Sequence, residues 1–157
     1  MLQLLNAKAT LQIKVVKMEM FNIYLSGACK HLDEKDQNVW RESAKDYFSQ
    51  IVCTHSKINA INPNDYFNYF NSTFKNDKQI KQHFMWMIRQ SKLMLVNLNH
   101  SDKSCGTGQE LQEAINCKIP IIGFGTENIY PWYEVDCDVV FETEIEALEY
   151  IRNYYIL

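Results

Sequence analysis

Nothing in the sequence supplies a metal or disulfide framework. The five cysteines (Cys29, Cys53, Cys105, Cys117, Cys137) are odd in number, scattered and without a Cys-x-x-Cys pair, and the four histidines (His31, His55, His83, His100) are equally dispersed. That usage fits a reducing compartment and offers neither metal ligands nor a cofactor anchor. Runs of lysine or arginine are missing and the net charge is -3, so there is no electrostatic footprint for a nucleic-acid polymer. No apolar run approaches the roughly 20 residues that cross a bilayer, and residues 1–9 lack the apolar core of a secretory signal. A cytoplasmic protein without membrane contact is expected. Repeats, low-complexity tracts and linker-like stretches are absent as well. The 157 residues therefore read as one domain, long enough to bury roughly two thirds of its unfolded surface.

What is present is alternation of strand and helix. Residues 1–20 read as an N-terminal extension, or an edge strand at residues 11–16, outside a domain of residues 21–157. Phe21-Asn22-Ile23-Tyr24-Leu25 reads as the first core strand, with Ser26-Gly27-Ala28-Cys29-Lys30 as the small-residue loop at its carboxyl end. A helix with acidic start signals follows, carrying Val39, Trp40, Ala44, Tyr47, Phe48 and Ile51 at helical spacing, with Arg41, Lys45 and Asp46 on its wet face. A weak strand within residues 51–61 stops at Asn62-Pro63-Asn64-Asp65, and the aromatics Tyr66, Phe67, Tyr69, Phe70 and Phe74 read either as a pocket wall or as a core or dimer contact. Asp77 opens the next helix, with Ile80, Phe84, Met87 and Ile88, before a buried strand at residues 92–98. Residues 119–124 and 138–141 supply two more strands, and Thr143-x-x-Glu146 caps a last helix through Ala147, Leu148, Ile151 and Tyr154. Such alternation calls for a single-domain α/β three-layer sandwich, flavodoxin- or Rossmann-like, with a five-stranded parallel sheet in the order 2-1-3-4-5. In that order the loops at residues 26–30 and 104–110 face one another across one crevice.

The second of those loops, Ser104-Cys105-Gly106-Thr107-Gly108-Gln109-Glu110, carries the chemistry. Its glycines allow close backbone approach to a ligand, and the helix start behind them offers free N–H groups to an anion. Glu110 falls at the helix start, where the dipole favours its ionised form. Two readings stand at this point: a carboxylate nucleophile, or the last member of a Thr107-x-x-Glu110 capping box.

Taken in order, several stretches resemble the nucleoside 2-deoxyribosyltransferase family, including its branch of nucleoside 5'-monophosphate N-glycosidases. They are Ile23-Tyr24-Leu25-Ser26-Gly27, the strand ending in Asn97-Leu98, and Gly106-x-Gly108-x-Glu110-Leu111 with Ala114, then Lys118-x-Pro120, Pro131-Trp132, Asp138-Val139-Val140-Phe141 and Glu146-Ala147-Leu148. The resemblance implies cleavage of the bond between base and (deoxy)ribose, with Glu110 as nucleophile and a glycosyl-enzyme resolved by water or a second base. It implies that Tyr24 orients Glu110, that Ser26, Gly27, Gly106 and Gly108 line the substrate site, and that the assembly is a homodimer or larger homo-oligomer. The substrate is then a small nucleoside or nucleotide. Six positions before the nucleophile the transferases resemble one another in an Asp suited to a neutral sugar, whereas the monophosphate branch has Ser. Ser104 stands there, and Lys30 adds a counter-charge for a phosphate.

The chain also departs from the family. Phe84 occupies the position of the helical Asp that helps the base leave, Lys92 that of an aspartate before the third strand, and Gln112 that of a glycine. His83 or Asp65 is then the candidate acid. A nucleotide-binding or sensing module on the same fold, with Glu110 as a cap only, is the alternative. A receiver domain would need clustered acids at the end of the first strand, where Ser26-Gly27-Ala28 offers none, and a flavodoxin would have its phosphate loop after the first strand, not the third.

Overall fold

The computed structural model describes residues 18–67 and 76–157. The edge strand expected at residues 11–16 and the aromatics Tyr69, Phe70 and Phe74 lie outside them. The elements are β1 (Glu19–Gly27), α1 (Glu34–Ser49), β2 (Ser56–Ile61), α2 (Asp77–Arg89), β3 (Leu93–Asn97), α3 (Cys105–Asn116), β4 (Ile121–Phe124), α4 (Pro131–Val135), β5 (Val139–Phe141) and α5 (Glu144–Ile151). All neighbouring strands pair in parallel, in the order β2-β1-β3-β4-β5, as the alternation predicts. Among the described residues no helix is long and apolar enough to cross a membrane.

Each face of the sheet has its own core. Ile23 and Leu25 of β1, Leu93 and Leu95 of β3, and Ile122 and Phe124 of β4 pack against Trp40, Ala44 and Phe48 of α1 and Ala147, Leu148 and Ile151 of α5. Tyr24, Met94, Val96 and Ile121 point the other way, onto Phe84, Met87 and Ile88 of α2 and Leu111 and Ala114 of α3. Burial on both faces is why β3 and β4 read as continuous apolar runs rather than alternating ones. Period-two alternation along β1 also puts Tyr24 and Ser26 on the α2/α3 side together. That shared side positions the site.

Helix ends follow local signals. Asp33 caps α1 by accepting from Asp36 N at 2.8 Å, and the Thr143–Glu146 capping box is present in full. Three expectations need correction. β1 begins at Glu19, two residues earlier than the sequence pattern suggests, because Glu19 and Met20 pair with Ser56 and Lys57 of β2. Val39, expected in the core, is exposed, because the inward stripe of α1 runs instead through Gln37, Trp40, Arg41, Ala44 and Phe48. Tyr154 is exposed because the chain leaves α5 through a wider π-helical turn at Arg152–Ile156, which breaks the helical register.

Candidate active site

The carboxyl ends of β1 and β3 meet at a cleft of about 730 Å³, bounded by the loop after β1, by α2 and by the first turns of α3, because the expected loop at residues 104–110 is helical from Cys105 and its glycines lie inside the helix. Glu110 lies at its floor, buried, and both of its oxygens are occupied. Tyr24 donates its hydroxyl to Oε1 at 2.8 Å, and Ser26 donates to Oε2 at 2.5 Å. The capping alternative is thereby overturned. Ser104 is the N-cap of α3, its hydroxyl accepting from Thr107 N at 3.4 Å, so the helix starts earlier than Thr107. Glu110 consequently sits in the second turn, away from the dipole's strongest influence, and its side chain faces the sheet rather than the cap.

Burial pushes the Glu110 carboxyl above its ordinary range, against the lowering pull of the Ser26 and Tyr24 hydrogen bonds and the Arg41 charge. Burial and the facing carboxylate hold the Tyr24 hydroxyl well above its usual range, so it remains a donor. Arg41 corrects another expectation. Placed on the wet face of α1 by its charge, it is 1% exposed, because it lies on the inward stripe and its guanidinium finds backbone acceptors. Nε donates to Leu25 O at 3.3 Å, Nη2 to Gly27 O at 3.0 Å, and Nη1 to Gln37 O. The sequence signal was available in Gln37, Arg41, Ala44 and Phe48 at helical spacing. A charge weighed against periodicity concealed it.

The remaining expected residues divide. Gly27, Lys30, Ser104 and Gly106 line the cleft. Ser26, expected to meet substrate, is fully buried beneath it and serves the carboxylate, as its side of β1 requires. Gly108 is turned away, packed on Tyr133, whose hydroxyl donates to Ser104 O at 3.1 Å. His83 lies edge-on to Phe67 and Tyr66, with ring centroids 5.0 and 5.7 Å away, and is not among the cleft's lining residues. Asp65 is bound to Lys45 at 2.8 Å, also outside the lining. Phe84 does line the cleft, together with Asp77, Ile80 and Lys81 at i, i+3, i+4 and i+7 on one stripe of α2. Sequence reasoning treated Asp77 only as a helix start. Its periodicity with Phe84 was the signal for more.

A smaller pocket of about 100 Å³ opens beside the cleft and shares Lys30, His31, Lys103 and Ser104 with it. Its far wall is His100 and Asn128, both in the left-handed conformation and bonded through Asn128 Nδ2 and His100 Nδ1 at 3.3 Å. Its lining carries two lysines, Lys30 and Lys103, and one acid, Asp102, with Glu127 beside His100 at 3.7 Å. Among the described residues no group of histidine, cysteine, aspartate and glutamate could hold a metal ion.

The two glycines of α3 differ sharply in what a side chain would meet. A Cβ on Gly106 meets nothing within 4 Å, whereas one on Gly108 would lie 2.5 Å from the Tyr133 hydroxyl oxygen and 2.7 Å from Cε1. Gly108→Ala is expected to lower stability by about 1–3 kcal/mol, through overpacking. Gly106→Ala is expected to hold or raise it, by up to about 1 kcal/mol of helix propensity. Urea denaturation of both variants checks the pair, and equal effects would refute it.

Solved structures show the same fold, 2-deoxyribosyltransferases among them. The chain superposes on a 2-deoxyribosyltransferase from Bacillus psychrosaccharolyticus with a TM-score of 0.61 and 15% identity, covering 82% of this chain and 91% of that one. A 2-desoxiribosyltransferase from Leishmania mexicana gives 0.63 and 15%, over 87% and 99%. A conserved protein from Enterococcus faecalis V583 gives 0.63 and 14%, over 85% and 98%. No protein-family model matches the sequence, and no curated protein does either.

Proposed function

We propose that the protein cleaves the N-glycosidic bond of a (deoxy)nucleoside or its 5'-monophosphate, through attack of Glu110 on the anomeric carbon. The observation that carries this reading is the buried Glu110 carboxylate held by Tyr24 and Ser26 at the floor of the cleft. Two donated hydrogen bonds fix its rotamer, and the low-dielectric floor strengthens its field at a developing oxocarbenium ion. The bond from C1' to the base nitrogen breaks as the bond to the carboxylate forms; the leaving nitrogen takes a proton, and water or a second base then displaces Glu110. Asp77 is the other carboxylate among the residues lining the cleft, which makes it the acid of this reading in place of His83 or Asp65. Ile80 and Phe84 between them form an apolar wall for a flat base.

The basic side pocket favours the monophosphate. Lys30 and Ser104 line both the side pocket and the cleft, and Gly106, in the first turn of α3, lines the cleft, which supports an anion site at their junction. The test is release of free base from ribo- and deoxynucleosides and their 5'-monophosphates, with and without an added second base. Release from monophosphates that disappears in Glu110→Ala is the expected result. Ligand-induced stabilisation by nucleotides with no base released from any of them would overturn turnover in favour of a binding module, a reading that Phe84 in place of the family's Asp supports.

A further inference from the structure

Arg41 is buried at the edge of the cleft, and no carboxylate among the described residues stands within ion-pair distance of it, although its charge does act on Glu110. A charge taken from water without such a partner is costly, so its position calls for a reason. The register of the sheet supplies one. β2 ends at Ile61, opposite Tyr24, while β1 runs on through Leu25, Ser26 and Gly27 against β3 alone. The carbonyls of Leu25 and Gly27, two residues apart and so on one side of the strand, have no β2 residue beside them. Arg41 donates to both, with one fork spanning the residue between. That residue is Ser26, which donates to Glu110 Oε2 at 2.5 Å. The planar guanidinium is itself fixed, since it also donates to Gln37 O and lies 4.6 Å from the Trp40 ring centroid.

We propose that Arg41 is a positioning residue for the reaction, which clamps the end of β1 so that the Ser26 hydroxyl stays on the Glu110 carboxylate. The inference rests on Glu110 as the reacting group. Glutamine or lysine at position 41 can donate at one end of the span but cannot bridge both carbonyls as the rigid fork does, and lysine alone retains the charge.

The experiment is a double-mutant cycle of Arg41→Gln and Ser26→Ala, followed by base release and by crystal structures of the variants. In the wild-type background Arg41→Gln is expected to lower kcat about a hundredfold, the size of effect that a small misplacement of a reacting group produces, with KM changed less than about threefold. In the Ser26→Ala background the same substitution is expected to cost only about threefold, because the group it positions is gone. Arg41→Lys keeps the charge without the fork, is expected to lose kcat to a similar extent, and serves as the second variant where Arg41→Gln folds poorly; wild-type kcat in Arg41→Lys would assign the effect to the charge and overturn the clamp. In the crystal the Ser26 hydroxyl of Arg41→Gln stands beyond hydrogen-bond reach of Glu110. Full additivity, an unchanged kcat, or a Ser26 that keeps its bond to Glu110 overturns the proposal. The crystallographic arm decides it even where wild-type protein releases no base, a result that counts against the glycosidic reading alone.

Discussion

Glu110→Gln is expected to abolish base release, by at least about a thousandfold in kcat/KM, while making the folded protein more stable at neutral pH. The two effects share one origin. In the proposed reaction the carboxylate held at the cleft floor is a fixed nucleophile, and the same burial raises its pKa above the unfolded value. A carboxyl group raised in this way contributes stability that is present below its unfolded pKa, near 4.3, and is lost as pH rises through the folded one. Ionised Glu110 is therefore a burden on the native state at pH 7. Glutamine accepts from one of the Tyr24 and Ser26 hydroxyls and donates to the other, so the substitution removes the charge without leaving either unpartnered. The melting temperature of Glu110→Gln should exceed that of wild type at pH 7, with the gap closing as pH falls through the folded pKa of Glu110 towards 4. A constant gap across that range would show that Glu110 titrates normally. Undiminished base release would remove it as the nucleophile.

Ser104→Asp is the second large effect. Aspartate is as good an N-cap as serine, so α3 should begin where it does now and stability should change little. Its charge, however, would stand among Lys30, His31 and Lys103 at the mouth of the side pocket. Juxtaposed like charges cost several kcal/mol, so the preference for a 5'-monophosphate over the free nucleoside should fall about 10²- to 10³-fold in the ratio of kcat/KM. Ser104→Asn caps equally well without the charge and should keep most of the preference. An unchanged ratio in Ser104→Asp would place the phosphate elsewhere.

The sheet was legible because its central strands are buried on both faces, and residues 93–98 and 119–124 therefore read as uninterrupted apolar runs. Glu110 was legible through its place shortly after the third strand, although the glycines read as a turn before it lie inside α3. What the sequence concealed was the start of α3, because Ser104 and Thr107 are both acceptable caps, and in the fold Ser104 takes the role while Tyr133 donates to its carbonyl. Arg41 was concealed for a different reason. Its acceptors are backbone carbonyls exposed by the offset between β1 and β2, and strand lengths to that accuracy are not written in residue types. Asp77 and Ser26 were present in the sequence with correct periodicity, and needed only the knowledge of which face of α2 and of β1 looks where.

The hydrogen bonds that define the carboxylate join residues 86 and 84 positions apart, Tyr24 and Ser26 to Glu110. Translation at about 5–20 residues per second separates their appearance by roughly 4–17 s. Over that interval a nascent chain has made the hydroxyls of β1 but no acceptor for them, and the β3 that must dock beside β1 emerges only shortly before Glu110 itself. No fragment that ends before α3 can form the Tyr24–Ser26–Glu110 cluster. The buried carboxylate cluster thus forms in one step, only once α3 has been made, and no earlier stage of the chain holds part of it.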